Sequence, residues 1–295
     1  MPNNLERSQK YANVFLELFR KGSLTTRLDT ESFQLDHSDA HTVKVLSIST
    51  TGLGDYHRDA GYPMGAVTSK WIPFTLNVDR GCSFTLDRID DDEVLGLTIG
   101  LIAKEFTEKS MVPEIDAYRF ARYFDGAGKK VTANFTGTTD TLLREIDVAA
   151  TYMNGMDVPE EGRILYVNQE LELTLRGALN RIWSNDFAVN TRIETYNGLQ
   201  IVYVPSKRFK TLIELNPGEN DTWGFSTPTG AQDINFMLMY PRSVIQATKT
   251  AKAKFFTADE NQRADSSLFQ FRIFHDCEVI SERKEGVYVS TKSAG

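Results

Sequence analysis

Asp36-His37-Ser38-Asp39-Ala40-His41 places two imidazoles and two carboxylates within six residues, a donor set that suits a divalent ion. No matched second group exists elsewhere in the chain, and the polar surroundings read as solvated linker. Asp90-Asp91-Asp92-Glu93 is a second acidic cluster, and helix capping with first-turn acids explains it more simply than a metal does. Cys82 and Cys277 are the only cysteines and no CxxC occurs, which excludes a zinc ribbon, a redox motif and a disulfide framework. His275 lies two residues from Cys277, on one face of an apolar strand, and reads as inert packing. Gly52-Leu53-Gly54 has His57 where a dinucleotide fingerprint needs glycine, and no helix pattern follows, so it reads as a hairpin tip. GxxxxGK[ST], GxSxG, HExxH and EF-hand spacings are all absent. Four histidines in no recognisable constellation leave general acid–base chemistry little to work with. The expectation is no catalytic residue, no cofactor and no metal.

Composition narrows the classes further. Apolar residues at 41% and charged residues at 25% exclude wholesale disorder. No apolar run approaches the ~18 residues of a membrane span, so no contact with a membrane is expected. The start, Met1-Pro2-Asn3-Asn4-Leu5-Glu6-Arg7, lacks a signal-peptide layout and predicts a chain that stays where it is made. Forty acids against thirty-three bases give a net charge of −7, unlike a general nucleic-acid binder. Two local basic clusters, Lys207/Arg208/Lys210 and Lys249/Lys252/Lys254, read as exposed strand faces.

The elements that would carry these residues are unusually extended. Leu5, Tyr11, Val14, Phe15, Leu18 and Phe19 form one stripe of an N-terminal amphipathic helix that Gly22 ends. A polar tether follows from Ser23 to about His41. Residues 72 to 86 alternate with period two, apolar on even numbers (Ile72, Phe74, Leu76, Val78, Cys82, Phe84, Leu86), far beyond the usual strand of ~5–6 residues. Thr42 to Thr50 is its natural antiparallel partner, so Val43 to Leu86 reads as a long β-ribbon with a glycine-rich tip and a bend near Gly81. Asp91 to Asp125 reads as one long helix, kinked or restarted at Pro113. From Thr139 the pattern is ordinary α+β, with core strands at 163–167, 199–205 and 234–239 and strand-like segments after Pro241. A tethered helix and a two-stranded ribbon cannot bury their own apolar faces, so the chain reads as a unit of a large assembly.

Three segments carry a resemblance. Asp79-Arg80-Gly81-Cys82-Ser83-Phe84-Thr85-Leu86-Asp87-Arg88-Ile89-Asp90 resembles the DRGxSFxxDxxD segment of major capsid proteins of tailed bacteriophages with the HK97 fold. Val112-Pro113-Glu114-Ile115-Asp116-Ala117-Tyr118-Arg119-Phe120 is similar to their VPEIDAYRF stretch, and Thr51-Gly52-Leu53-Gly54-Asp55-Tyr56 to their loop tip. Cys82 departs from the pattern, where a polar or basic residue is expected.

The resemblance implies an α+β, HK97-like capsid fold. Residues 1–41 would be the N-terminal helix and arm, 42–89 the extended loop, 90–136 with 241–295 the peripheral domain carrying a long spine helix, and 137–240 the axial domain. It implies self-assembly into hexamers and pentamers of an icosahedral phage head around packaged DNA, made in the host cytoplasm and resident in the virion. Scaffolding, portal and decoration proteins are the implied partners, with weak, non-specific DNA contact. The loop would lie over an adjacent subunit, making Gly52, Tyr56, Tyr62, Trp71, Ile72, Phe74, Arg80 and Arg88 the candidate intersubunit contacts. Arg80 and Arg88 would pair with carboxylates across the joint. Rival readings are an encapsulin-type compartment, a tail-tube or sheath subunit, and an enzyme with a carboxylate mechanism.

Overall fold

A computed structural model of the chain describes residues 17–19, 21–28, 35–36, 42–59, 61–87, 98–135, 139–182, 195–219, 222–256, 258, 261 and 264–293. In chain order the main elements are β1 (Thr42–Thr50), β2 (Val67–Thr75), β3 (Val78–Asp87), α1 (Thr98–Phe106), α2 (Val112–Gly126), β4 (Lys129–Thr132) and α3 (Thr139–Gly155). They continue as β5 (Ile164–Asn168), α4 (Glu172–Ile182), β6 (Leu199–Val204), β7 (Ile234–Met239), β8 (Val244–Phe256), β9 (Ser266–Val279) and β10 (Val287–Thr291).

The body is three layers. Its middle is a six-stranded sheet in the order β4-β10-β7-β5-β6 followed by Thr195–Tyr196. All five residues of β5 are buried because both faces are covered. Leu165 and Val167 meet Leu142, Ile146 and Met153 of α3 on one side. Ile164 and Tyr166 meet Phe120 and Tyr123 of α2 on the other. The expected domain boundaries cut through this sheet: β4 and β10 fall in segments assigned to the peripheral domain, yet they hydrogen-bond into the sheet of residues 164–239.

α1 and α2 are joined by a five-residue π turn, Thr107–Met111, so the helix is continuous from Thr98 to Gly126. Val112 N–H donates to Thr107 O, five residues back. This wider turn sits immediately before Pro113, which has no N–H to give and whose ring crowds an ordinary α turn. The proline is therefore accommodated without a break. Asp91 to Leu97 of the expected helix, and Asp90, lie outside the described residues.

The ribbon is shorter than the alternation suggests. β1 and β2 pair antiparallel from Thr42↔Thr75 to Thr50↔Val67, and Leu35–Asp36 adds to the other side of β1. The strand then breaks at Leu76-Asn77, not at Gly81, and β3 leaves the ribbon to pair with β9 from Val78↔His275 to Asp87↔Ser266. The break has a cause: the buried Asp276 carboxylate accepts from Asn77 N (3.0 Å), withdrawing that N–H from any ladder, and from Asn77 Nδ2 (3.1 Å). β8, β9 and β3 make a separate three-stranded sheet.

The tether also differs from the reading. Glu17–Phe19 and Lys21–Gly22 are helical, as the N-terminal stripe predicts, while Leu5 to Phe15 lie outside the described residues. Ser23, and Thr25 and Leu28 of the 3-10 turn Thr25–Leu28, are buried rather than solvated.

Candidate functional site

The joint between ribbon and body is built from the motif segments themselves. Arg80 of β3 meets Glu114 of α2 in a two-point ion pair, Nε to Oε1 at 2.7 Å and Nη2 to Oε2 at 3.2 Å. The same guanidinium donates to two backbone carbonyls, Asn216 O (2.6 Å) and Gly224 O (3.2 Å), on the hairpin formed by Glu214–Leu215 and Phe225–Ser226. A planar fork with five donors suits such a node, and lysine does not. Next along β3, a side chain at Gly81 would put its Cβ 2.8 Å from Phe271 O, so glycine is needed for the approach to β9. Asp79 pairs with Arg272 across the ladder (Nε 2.8 Å) at an exposed site.

Two further carboxylates of the body are buried and fully engaged. Asp276 accepts from Tyr118 OH (2.9 Å) and Cys277 N (2.8 Å) besides Asn77. Burial, and then the Asp276 charge, push the Tyr118 phenol well above its ordinary value. Asp116 receives the arm, with Ser23 Oγ at 2.7 Å and Thr25 Oγ1 at 2.8 Å. Sequence reasoning missed Glu114, Asp116 and Asp276 as anchors. One signal was available: Asp116, Arg119, Phe120 and Tyr123 share a helical face, which sets two charges on an apolar stripe.

Beyond its footing the ribbon is exposed. Its tip, residues 51–66, is pinched at the base by Thr51 N to Ala66 O (3.1 Å) and Ala66 N to Thr51 Oγ1 (3.0 Å). Within it His57 and Gly61 form a bridge, with Gly61 at φ +79°, a conformation that suits glycine. Tyr56 and Tyr62 stack obliquely at 5.1 Å, and Tyr62 is 86% exposed, as are Leu53 and Met64 almost completely. Gly52 faces open space. Trp71 on β2 is exposed and Ile72 half-buried.

Two of the expected contact residues face inward instead. Phe74 is 4% exposed and packs with Val43, Leu76, Ile245, Ala247 and Phe274, because the ribbon's last residues lie on β8 and β9. Arg80 finds its carboxylate within its own chain. Arg88 lies outside the described residues.

The other candidates sort as follows. Asp36-to-His41 and Asp90-to-Glu93 lie outside the described residues apart from the backbone of Asp36, and no group of three or more metal-ligating side chains occurs among the described residues. Burial pushes the Cys82 and Cys277 thiols up to about 12, and pushes His275 down to about 3 with help from Arg119 and Arg80. Lys207/Arg208/Lys210 is not an exposed strand face: Arg208 reaches Asp116 (3.4 Å), Lys210 pairs with Asp233, and only Lys207 is exposed. Lys252 and Lys254 do stand exposed on β8. No helix among the described residues is long and apolar enough to cross a membrane.

No protein-family model and no curated protein matches the chain. Solved structures do. A chain from the capsid structure of cyanophage P-SCSP1u superposes with a TM-score of 0.65 at 13% identity, over 92% of this chain and 89% of that one. The chain has the HK97-type capsid fold. A chain of Mycobacterium phage Che8 shares it at a TM-score of 0.56 and 16% identity, over 89% and 93% of the two chains. A virus-like particle from Pyrococcus furiosus also shares it, at 0.56 and 11%, over 97% and 99%. The paired strands β1 and β2 fall in the segment expected to form the extended loop, and the continuous helix Thr98–Gly126 falls in the segment expected to carry the spine helix.

Proposed function

We propose that this chain is the shell subunit of an icosahedral phage head, assembling with itself as hexamers and pentamers around packaged DNA. The observation that carries this is the ribbon: a firmly footed arm whose far end exposes Leu53, Tyr56, Tyr62 and Met64. Covering an apolar side chain of that size contributes roughly 1.5–3 kcal/mol. A neighbour that covers the tip therefore gains several kcal/mol before ordering costs. Such a contact joins one patch to a different patch and closes into rings. The thiols fit a structural role, since burial holds Cys82 and Cys277 away from the reactive thiolate form. Scaffolding, portal and decoration proteins would be partners, and at −7 the DNA contact would be weak and non-specific. The subunit would assemble in the host cytoplasm and reside in the virion.

A protein compartment is the second reading, since the same fold also occurs, over nearly the full length of both chains, in a virus-like particle from Pyrococcus furiosus. Expression of the chain with and without its neighbouring genes, followed by negative-stain electron microscopy, tests both. Closed isometric shells or capsomer rings support a shell subunit, with enclosed DNA marking a head and enclosed protein a compartment. Tubes, or a stable monomer that never forms particles even with scaffold, would overturn it.

A further inference from the structure

The root of the N-terminal arm is fixed by directional polar contacts rather than by packing alone. Asp116 is fully buried in α2, and five contacts from outside its own helix reach its carboxylate. Oδ1 accepts from Ser23 Oγ (2.7 Å), Thr25 Oγ1 (2.8 Å) and Thr25 N (3.3 Å). Oδ2 accepts from Leu24 N (3.1 Å) and Arg208 Nη1 (3.4 Å). Leu24 and Thr25 are held by further groups. Arg119 Nη1 donates to Thr25 Oγ1 (3.0 Å), Tyr166 OH to Leu24 O (3.2 Å), and Gln246 Nε2 to Thr25 O (3.0 Å). Groups from α2, β5, β8 and the turn after β6 thus converge on Ser23-Leu24-Thr25.

This arrangement sets register and direction together. Sliding the arm by one residue would leave a buried carboxylate facing the wrong donors, a severe penalty in a low-dielectric site. An apolar contact tolerates such slippage far better. Direction follows from the order of contacts: Phe19 packs with Met111, Val112 and Ile115, Ser23 reaches Asp116, and Thr25 reaches both Asp116 and Arg119. The arm therefore runs parallel to the spine helix as it leaves the body.

We infer that Asp116 is the positioning residue of the N-terminal arm, fixing the point and heading from which the arm departs, and that shell closure depends on this heading. The second half of the inference rests on the shell reading above; the first does not.

Hydrogen exchange on the unassembled full-length subunit tests the first half. In Asp116→Asn the amides of Leu24 and Thr25 should exchange at least ten-fold faster than in the parent, with tryptic cleavage after Lys21 or Arg27 accelerated alongside. Ser23→Ala/Thr25→Val removes both hydroxyl donors of the arm from the contact, leaves the helix α2 untouched, and serves where Asp116→Asn does not fold. Leu142→Ala, in the core on the opposite face of the sheet, supplies a control of comparable or larger Tm loss. Particle morphology by electron microscopy tests the second half. The expected result is normal shells from the control and open or irregular shells from the arm variants. Unchanged amide protection in the arm variants would overturn the clamp. Normal shells from a released arm, or equal defects in the control, would overturn its role in closure. A parent chain that forms no particles would sink the shell reading while leaving the exchange result to decide the clamp.

Discussion

Arg80 and Glu114 stand 34 residues apart in sequence and meet in a two-point ion pair that also holds the Asn216–Gly224 hairpin through its two carbonyls. The DRG segment and the VPEIDAYRF segment are thus two halves of one joint. The Arg80 and Glu114 side chains turn to each other, and that of Asp116 turns to the arm.

Removing one half of that pair strands the other. Arg80→Ala should lower subunit stability by about 2 kcal/mol, since both partners are mostly buried, and Arg80→Lys by about half of that because one charge survives without the fork. Urea unfolding gives the size. Faster amide exchange at residues 214–226 would locate the effect in the hairpin that carries exposed Trp223; an unchanged hairpin would refute the node.

Phe74 and Ile72, two residues apart, should separate folding from assembly. Phe74→Ala empties a site in the ribbon's footing and should cost roughly 3–4 kcal/mol of subunit stability. Ile72→Asp, at a half-buried position farther out, should leave the subunit folded and reduce particle yield. Equal thermal stability of the two variants would contradict the placement of Phe74.

At the tip, Leu53→Ser/Tyr62→Ser should leave the melting temperature within the change of about 0.5 kcal/mol typical of surface substitutions, yet abolish shells. Sedimentation and electron microscopy on the same preparation check both halves. Intact shells from this variant would remove the tip from the contact.

His275 predicts an acid-side weakness. Its folded value, about 3, lies below the ordinary 6.5, so its neutral form contributes stability that is fully present above pH 6.5 and lost as the pH falls toward 3. Arg119 and Arg80 both disfavour the added proton, and Tyr118 stacks edge-on against the ring. Unfolding free energies from urea titrations at pH 7 and pH 4 should differ by a few kcal/mol in the parent, and by clearly less in His275→Phe. An equal drop in both would assign the acid sensitivity to other groups.

Much of the architecture was legible because periodicity reports burial. The even-numbered row from Ile72 to Phe84 does face inward at Phe74, Leu76 and Val78, and the core strands at 164–168, 199–204 and 234–239 lie where apolar runs put them. Periodicity does not report partners. Residues 67–75 and 78–87 alternate in phase yet belong to different sheets, and the switch is made by Asp276, about two hundred residues away in the chain. Likewise β4 and β10 read as parts of another domain, because a strand's pattern does not say which edge it joins. Ser23 to Leu28 looked like linker because its anchors are hydroxyls and backbone amides, which hydropathy counts as solvent-loving. At the joint, residue types pointed to an ion pair for Arg80, but whether the pair lies within one chain or between two depends on packing that no local pattern encodes.

The ribbon is made early in translation and its footing late. Residues 42–75 leave the ribosome long before Ile245, Ala247, Phe274 and Asp276, on which Phe74, Leu76 and Asn77 rest. The central sheet is later still: β10 covers one edge of β7 only once residues 287–291 have emerged. A nascent chain therefore carries its exposed apolar tip unmounted, with a core strand edge bare, until residues 287–291 have emerged. The order of the polypeptide thus works as a timer: before β8, β9 and β10 emerge the ribbon has nothing to aim it, and only afterwards can it be presented to another subunit.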